Sequence, residues 1–243
     1  MLTCINITIR NNQYRGGIEI ISETTGITLN NVTAIRIKKK EHYMSVWTED
    51  TYVREIAEPS DLSFALFDMI TKSNTGYTYS IDVMSGNRVL ESQTFHNIEC
   101  WFDGMFVGND EEQYLAIADY SVSTKRNTQV EYVTTLSGRT PYRVSNANTN
   151  YTTGTASGLF FELDENGKYE PDYDHRYSQE VVDFLTDGTN KILKTGDGQI
   201  WCISVDEIID LPFHERFIGK NNIEFNWTEI SDVPVFGMVV DDE

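Results

Sequence analysis

Arg176-Tyr177-Ser178-Gln179-Glu180-Val181-Val182-Asp183-Phe184-Leu185, stopped by Thr186-Asp187-Gly188, is the stretch on which the reading of this chain turns. Tyr177, Val181, Phe184 and Leu185 stand at i, i+4, i+7 and i+8, one apolar stripe, so an amphipathic helix is expected over about 176–186. Gly188 is the residue type usually found just past a helix end. Ahead of the helix runs a polar segment read as turn-rich, from Gly138-Arg139-Thr140-Pro141-Tyr142 through Asn150-Tyr151-Thr152 to Gly158-Leu159-Phe160-Phe161. Behind it comes a hairpin, Lys191-Ile192-Leu193-Lys194, Gly196-Asp197-Gly198 and Gln199–Val205, in which Ile200, Cys202 and Ser204 alternate with Trp201, Ile203 and Val205. A last strand, with Ile223, Phe225 and Trp227 alternating with Glu224, Asn226 and Thr228, ends at Glu229-Ile230. Period-two alternation around a single helix predicts a compact sheet with that helix laid on it.

Working outward, Tyr114–Ser123, Thr128–Thr135 and Gly158–Leu163 read as strands, and Asp164-Glu165-Asn166-Gly167 as a tight hairpin turn. Alternation is equally clear near the start of the chain. Cys4, Asn6 and Thr8 oppose Ile5, Ile7 and Ile9, and Ile35 and Ile37 alternate with Arg36 and Lys38. Tyr77, Tyr79, Ile81 and Val83 alternate with Thr78, Ser80, Asp82 and Met84, and Ser85-Gly86-Asn87 turns the chain into Arg88–Phe95. About seven short strands fit between Thr3 and Trp101, the spacing of an immunoglobulin- or fibronectin-like β-sandwich. No Cys…Trp…Cys core is visible, so an antibody-type domain is not expected. Gly104, Gly108 and Asn109-Asp110-Glu111-Glu112 interrupt the pattern, which divides the chain into a sandwich over 1–105 and a second β domain over 106–243. Trp101, Phe102, Met105 and Phe106 beside that boundary would seal the seam between domains or dock a neighbouring subunit; the residues alone do not choose.

Composition narrows the partners. At 243 residues the chain can bury two ordinary cores without disulfides, and 40% hydrophobic content marks it as globular. Thirteen Tyr and 12 Phe against five Pro favour strands. No apolar run approaches the roughly 18 residues of a spanning helix, so no membrane insertion is expected. Met1-Leu2-Thr3-Cys4-Ile5-Asn6 lacks a basic and then apolar leader, so no secretion signal is expected. The N-x-[ST] triplets at Asn6, Asn31, Asn150 and Asn226 then read as chance matches. Cys4, Cys100 and Cys202 are odd in number and far apart, which predicts buried free thiols rather than disulfides or a zinc site. A net charge of −19 repels phosphate backbones, so no specific nucleic-acid binding is expected. Lys38-Lys39-Lys40 reads as a guard on an edge strand.

Catalytic patterns are thin. Asp172, Asp174 and His175 cluster two carboxylates and an imidazole, with Glu162, Asp164, Glu165 and Glu170 nearby, but the D-x-[DN]-x-[DN]-G spacing of a calcium loop is missing. His42, His96, His175 and His214 share no ligand spacing, and Glu49, Asp50, Glu55 and Glu58 read as solvated carboxylates rather than a glycosidase pair. No GxSxG, HExxH or P-loop occurs. The expectation is no enzyme: no catalytic residue, no metal and no cofactor.

One order of motifs goes further. Gly138-Arg139-x-Pro141, Asn148-x-Asn150-Tyr151, the step into Gly158-Leu159, Phe184-Leu185-Thr186-Asp187-Gly188, Lys191-Ile192-Leu193, a glycine turn, Ile200-Trp201-x-Ile203-x-Val205 and Asn226-Trp227-x-Glu229-Ile230 follow one another over about 114–230. That succession resembles bacteriophage tail-tip and baseplate structural proteins, the distal-tail-like family, whose module is related to the tail-tube fold. The resemblance implies a virion protein of the tail or baseplate, made in the host cytoplasm, that forms a homo-oligomeric ring around the tail channel. Subunits would join sheets edge to edge, with the helix on the outer face, an acidic channel wall that does not grip DNA, and contacts to other tail proteins. The sandwich would be a peripheral arm. The alternative from the residues is a carbohydrate-binding or host-adhesion module, in which Tyr and Trp side chains of the sandwich form an exposed row.

Overall fold

The computed structural model describes residues 2–26, 31–134, 138–163, 167–168, 176–210 and 222–240. Its first seven strands are β1 (Ile5–Asn12), β2 (Gly17–Thr24), β3 (Ala34–Glu41), β4 (Tyr52–Glu55), β5 (Phe64–Asp68), β6 (Thr75–Ser85) and β7 (Arg88–Cys100). Then follow β8 (Met105–Gly108), β9 (Gln113–Val133), β10 (Tyr142–Phe160), the helix α1 (Arg176–Thr186), β11 (Lys191–Thr195), β12 (Ile200–Asp210), β13 (Asn222–Ser231) and β14 (Met238–Val240). The protein is mainly β, as the alternation predicts, and all its recorded strand pairs are antiparallel.

Eight strands make a sandwich of two sheets, ordered β1-β2-β5-β14 and β4-β3-β6-β7. The fourth strand pairs with β3, unlike a constant-type immunoglobulin, where it joins the other sheet. Cys4, Ile5, Ile18, Ile20 and Leu66 of one sheet meet Ile35, Ile37, Tyr79, Ile81 and Val83 of the other in a common core. The opposite face of β6 is covered as well. Asp82 accepts bonds from Arg36 Nη2 (2.7 Å) and Ser92 Oγ (2.6 Å), while Lys38 Nζ lies 3.0 Å away. Lys39 of the lysine run guards no edge, although β4 covers β3 only from Ala34 to Ile37. Lys39 is in phase with Ile35 and Ile37, so it points into the protein, and its ammonium meets Asp68 at 2.7 Å.

The remaining strands close into a six-stranded barrel, β10-β13-β12-β11-β8-β9. The helix falls where the stripe predicts it. Val181, Phe184 and Leu185 are buried among Met105, Val107, Phe160, Leu193, Ile203, Ile223, Phe225 and Trp227, each burial contributing about 1.5–3 kcal/mol. Gly188 takes φ +79 just beyond the helix end. Side chains fill the barrel, with the rings of Trp201 and Trp227 5.2 Å apart, so it encloses a core and not a channel.

Several expectations are corrected here. The polar run over 138–157 is no series of turns; from Tyr142 it is the strand β10, and 114–133 is one continuous strand rather than two. The segment 103–112 contributes a barrel strand, β8, and β14 returns to pair with β5 of the sandwich. The barrel is closed by its own β9–β10 pairing, so edge-to-edge joining cannot involve the whole sheet. Phe102, Met105 and Phe106 are buried, with the two Phe rings edge to face at 5.1 Å, and seal the contact between sandwich and barrel; Trp101 remains 49% exposed.

Candidate functional site

Three features stand out on this scaffold: a hairpin that outruns the barrel, a cleft between barrel and sandwich, and buried lysines at the seam below it.

The hairpin is β9–β10. Within the barrel, Thr153–Leu159 of β10 pair with both β9 and β13. The strands come unusually close there. A Cβ on Gly154 would lie 2.0 Å from the Ser123 carbonyl oxygen and 2.8 Å from the Trp227 ring, so only glycine fits. Beyond Thr153 the pairing with β13 stops. Residues 126–133 and 142–152 are paired only with each other, interrupted by a bulge between Asn146 and Asn150. At about 3.4 Å per residue this arm extends roughly 30 Å past the barrel. Arg126 ties its base, donating to Asn150 Oδ1 at 2.6 Å and Thr152 Oγ1 at 3.3 Å.

Register fixes what the arm presents. Tyr142 faces Val133 and Val144 faces Glu131, which puts those four on one face; Tyr132 and Arg143 share the other. Tyr132 is 65% exposed, Tyr142 66% and Val144 53%. Apolar side chains on both faces are not covered by the arm's own barrel.

The cleft, of about 470 Å³, has an apolar floor that includes Phe67, Phe106, Leu115 and Phe161. Tyr14, Tyr114 and Tyr177 line it, and the exposed carboxylates Glu111, Glu112, Glu162 and Glu180 stand around it. Tyr114 donates to Glu112 Oε2 at 2.7 Å and Tyr177 to the Phe161 carbonyl at 3.2 Å. Burial raises both phenols well above their usual range, assisted at Tyr114 by the Glu112 carboxylate and at Tyr177 by the neighbouring Tyr114. Gln113 donates to the Arg15 carbonyl at 2.5 Å, while its buried Oε1 finds no donor among the described residues. The Arg15 guanidinium lies 4.1 Å above the Phe67 ring.

Below the cleft, Lys194 of β11 donates to the carbonyls of Gly16 (2.6 Å) and Met69 (2.7 Å), between the rings of Phe102 and Phe106. Full burial lowers its pKa to about 7. A neutral amine has two N–H donors, and two carbonyls receive them. Lys39 bonds Asp68 and the Ile70 carbonyl, both at 2.7 Å, and Tyr79 donates to the same carboxylate at 2.9 Å. Burial again dominates, pushing Lys39 down and Tyr79 up. Lys194 thus joins barrel to sandwich, whereas Lys39 joins the two sheets of the sandwich, and nothing in the alternation marked Lys194 as buried.

Asp172, Asp174, His175, His214, Asp164, Glu165 and Glu170 lie outside the described residues. His42 and His96 are exposed and belong to separate segments, and Glu49, Asp50, Glu55 and Glu58 are exposed. Among the described residues no three His, Cys, Asp or Glu side chains converge as a metal site. Cys4, Cys100 and Cys202 are free and buried. The exposed sandwich aromatics Tyr14, Tyr43 and Trp101 all sit outside strands, so they form no row on a sheet face. Among the described residues no helix is long and apolar enough to cross a membrane.

No protein-family profile and no curated protein matches this chain. Among solved structures, a chain from the virion of a native gene transfer agent particle aligns over 57% of this chain and 95% of its own. The identity is 13% and the TM-score 0.31, too low to carry an argument about fold or function.

Proposed function

We propose that this chain is a structural protein of a virion, a tail or baseplate component that assembles as a ring-forming homo-oligomer around the tail channel and contacts neighbouring tail proteins. The observation that carries the reading is the hairpin arm, which leaves a closed barrel and exposes tyrosine and valine on both faces. A two-stranded ribbon is marginal in water, so a partner that covers those side chains accounts for its length. Its outer edges also offer unpaired main-chain N–H and C=O groups to a further strand. The motif order that resembles distal-tail-like proteins supports the same reading, because its residues lie in and around β10, α1, β11, β12 and β13 of one barrel. The channel in this reading lies among copies, since the barrel itself is filled. The chain is structural, without catalytic machinery, and the sandwich is its peripheral arm.

Mass photometry of two proteins tests this: the full chain, and a variant in which 131–144 is replaced by Asn-Gly. That turn joins the paired residues Val130 and Ser145 as a tight hairpin. Rings or partial rings for the full chain and monomers for the shortened one are expected. A full chain that stays monomeric at micromolar concentration and above excludes the proposal.

A further inference from the structure

We infer that the hairpin arm of one copy seats its tip side chains in the acidic, tyrosine-lined cleft between sandwich and barrel of a neighbouring copy. This rests on the oligomeric reading above and names the surface that receives the arm.

Charge is the first argument. Residues 125–152 carry Lys125, Arg126, Arg139 and Arg143 against Glu131 alone, a net of +3. The chain has 19 basic and 38 acidic residues, so the other residues keep 15 and 37, a net of −22. The arm is thus the basic part of a strongly acidic protein, and Arg139 and Arg143 are exposed. Around the cleft stand Glu111, Glu112, Glu162 and Glu180, with no Lys among the described residues of its lining and with Arg15 laid over Phe67. Potentials of opposite sign steer encounter and fix register.

Chemistry of the lining is the second argument. Tyr132, Tyr142 and Val144 need an apolar surface, and the cleft floor supplies Phe67, Phe106, Leu115 and Phe161. The exposed carboxylates of the cleft rim are acceptors, and the arm supplies a surplus of donors, its guanidinium and phenol groups. Its room of about 470 Å³ suits a few side chains rather than a whole hairpin.

Geometry is the third, and it makes the contact one between copies. Gln113 and Tyr132 are the two ends of one continuous strand, β9. Nineteen residues of extended chain separate them, roughly 50–60 Å even with allowance for twist and bulges. A strand held in the barrel cannot bend its far end back to its own beginning. Arm and cleft therefore meet only on different molecules, head to tail, the arrangement that closes rings or builds stacks.

Reciprocal charge reversal in the full chain tests the inference. Arg139→Glu with Arg143→Glu should weaken assembly roughly a hundredfold in mass photometry, since like charges then face each other. Adding Glu112→Arg and Glu180→Arg to that variant should restore assembly. All four positions are exposed, so thermal melts of the monomers should coincide. A second variant, Arg143→Cys with Glu112→Cys, should give a ladder of disulfide-linked multimers under mild oxidation, the native thiols being buried. If the unaltered chain assembles but charge reversal has no effect, or the cysteines link only into dimers, the cleft is not the receiver and the oligomeric reading survives. Arginine variants that assemble normally but lose binding to duplex DNA would overturn the inference in favour of a nucleic-acid contact. A chain that never assembles overturns both readings.

Discussion

The hairpin β9–β10 is two structures in one pair of strands. Near the barrel, Leu115, Ala116, Ala156, Leu159 and Phe160 are buried and β10 has a neighbour on each side. Farther along, the same two strands have only each other, and Tyr132, Tyr142 and Val144 face water. Backbone geometry is continuous across the junction; what changes is whether side chains are covered. The root is stabilised by its own chain, whereas the arm has apolar surface that its own chain leaves uncovered.

The sharpest way to break this contrast is at the root. Gly154→Val puts a side chain into space held by the Ser123 carbonyl and the Trp227 indole, so the barrel should fail to form, read as loss of the cooperative unfolding transition. Phe160→Ala is milder and should cost about 3–5 kcal/mol in a denaturant titration. Tyr142→Ser in the arm should change monomer stability by less than about 0.5 kcal/mol and still impair assembly, because the side chain touches little of its own molecule.

The seam below the cleft adds a pH dependence that belongs to the sandwich–barrel contact and not to the arm. Lys194 is lowered to about 7 in the folded chain from an ordinary 10.5. Between those values the unfolded chain binds more protons, so stability should rise with pH from about 7 upward, by on the order of 1 kcal/mol per unit at most. Lys39 is shifted in the same direction. Above the ordinary thiol and phenol range, the raised groups Cys100, Tyr77 and Tyr79 oppose the trend, so urea titrations from pH 7 to 8.5 isolate it. Lys194→Met should flatten the slope; an unchanged slope would mean the amine is not the titrating group.

The smallest effect lies at the junction. Arg126→Ala removes two side-chain hydrogen bonds and a 3.8 Å approach to Glu229 from a guanidinium that is itself mostly solvated, and should cost under about 1 kcal/mol. Hydrogen exchange is the sensitive probe there. Amides of 127–133 should exchange fast in the monomer and slow down on assembly, while those of 153–159 stay protected throughout.

Much of the fold was legible residue by residue. The stripe of Tyr177, Val181, Phe184 and Leu185 specified the helix, and alternation around Ile35, Tyr79 and Ile200 specified strands, although β6 proves buried on both faces. The arm was illegible for the same reason: neither of its faces is buried within the chain, so Asn, Thr and Ser alternate with nothing and mimic turns. Lys39 was misread although its phase with Ile35 and Ile37 pointed inward, because a buried lysine is rare unless paired. Its partner Asp68 is 29 residues away. The cleft left no local signal, since its lining comes from separate parts of the chain.

By itself the sequence determined the local conformations, the acidic balance and the free cysteines, because each depends on neighbours a few residues apart or on composition alone. Tertiary structure decided that β9 and β10 close the barrel, that β14 returns to the sandwich, that Lys39 and Lys194 are buried, and where the arm leaves its support. Those outcomes depend on which distant surfaces meet. Strand pairing and burial are long-range contacts, and side-chain periodicity records that a face is covered without recording what covers it.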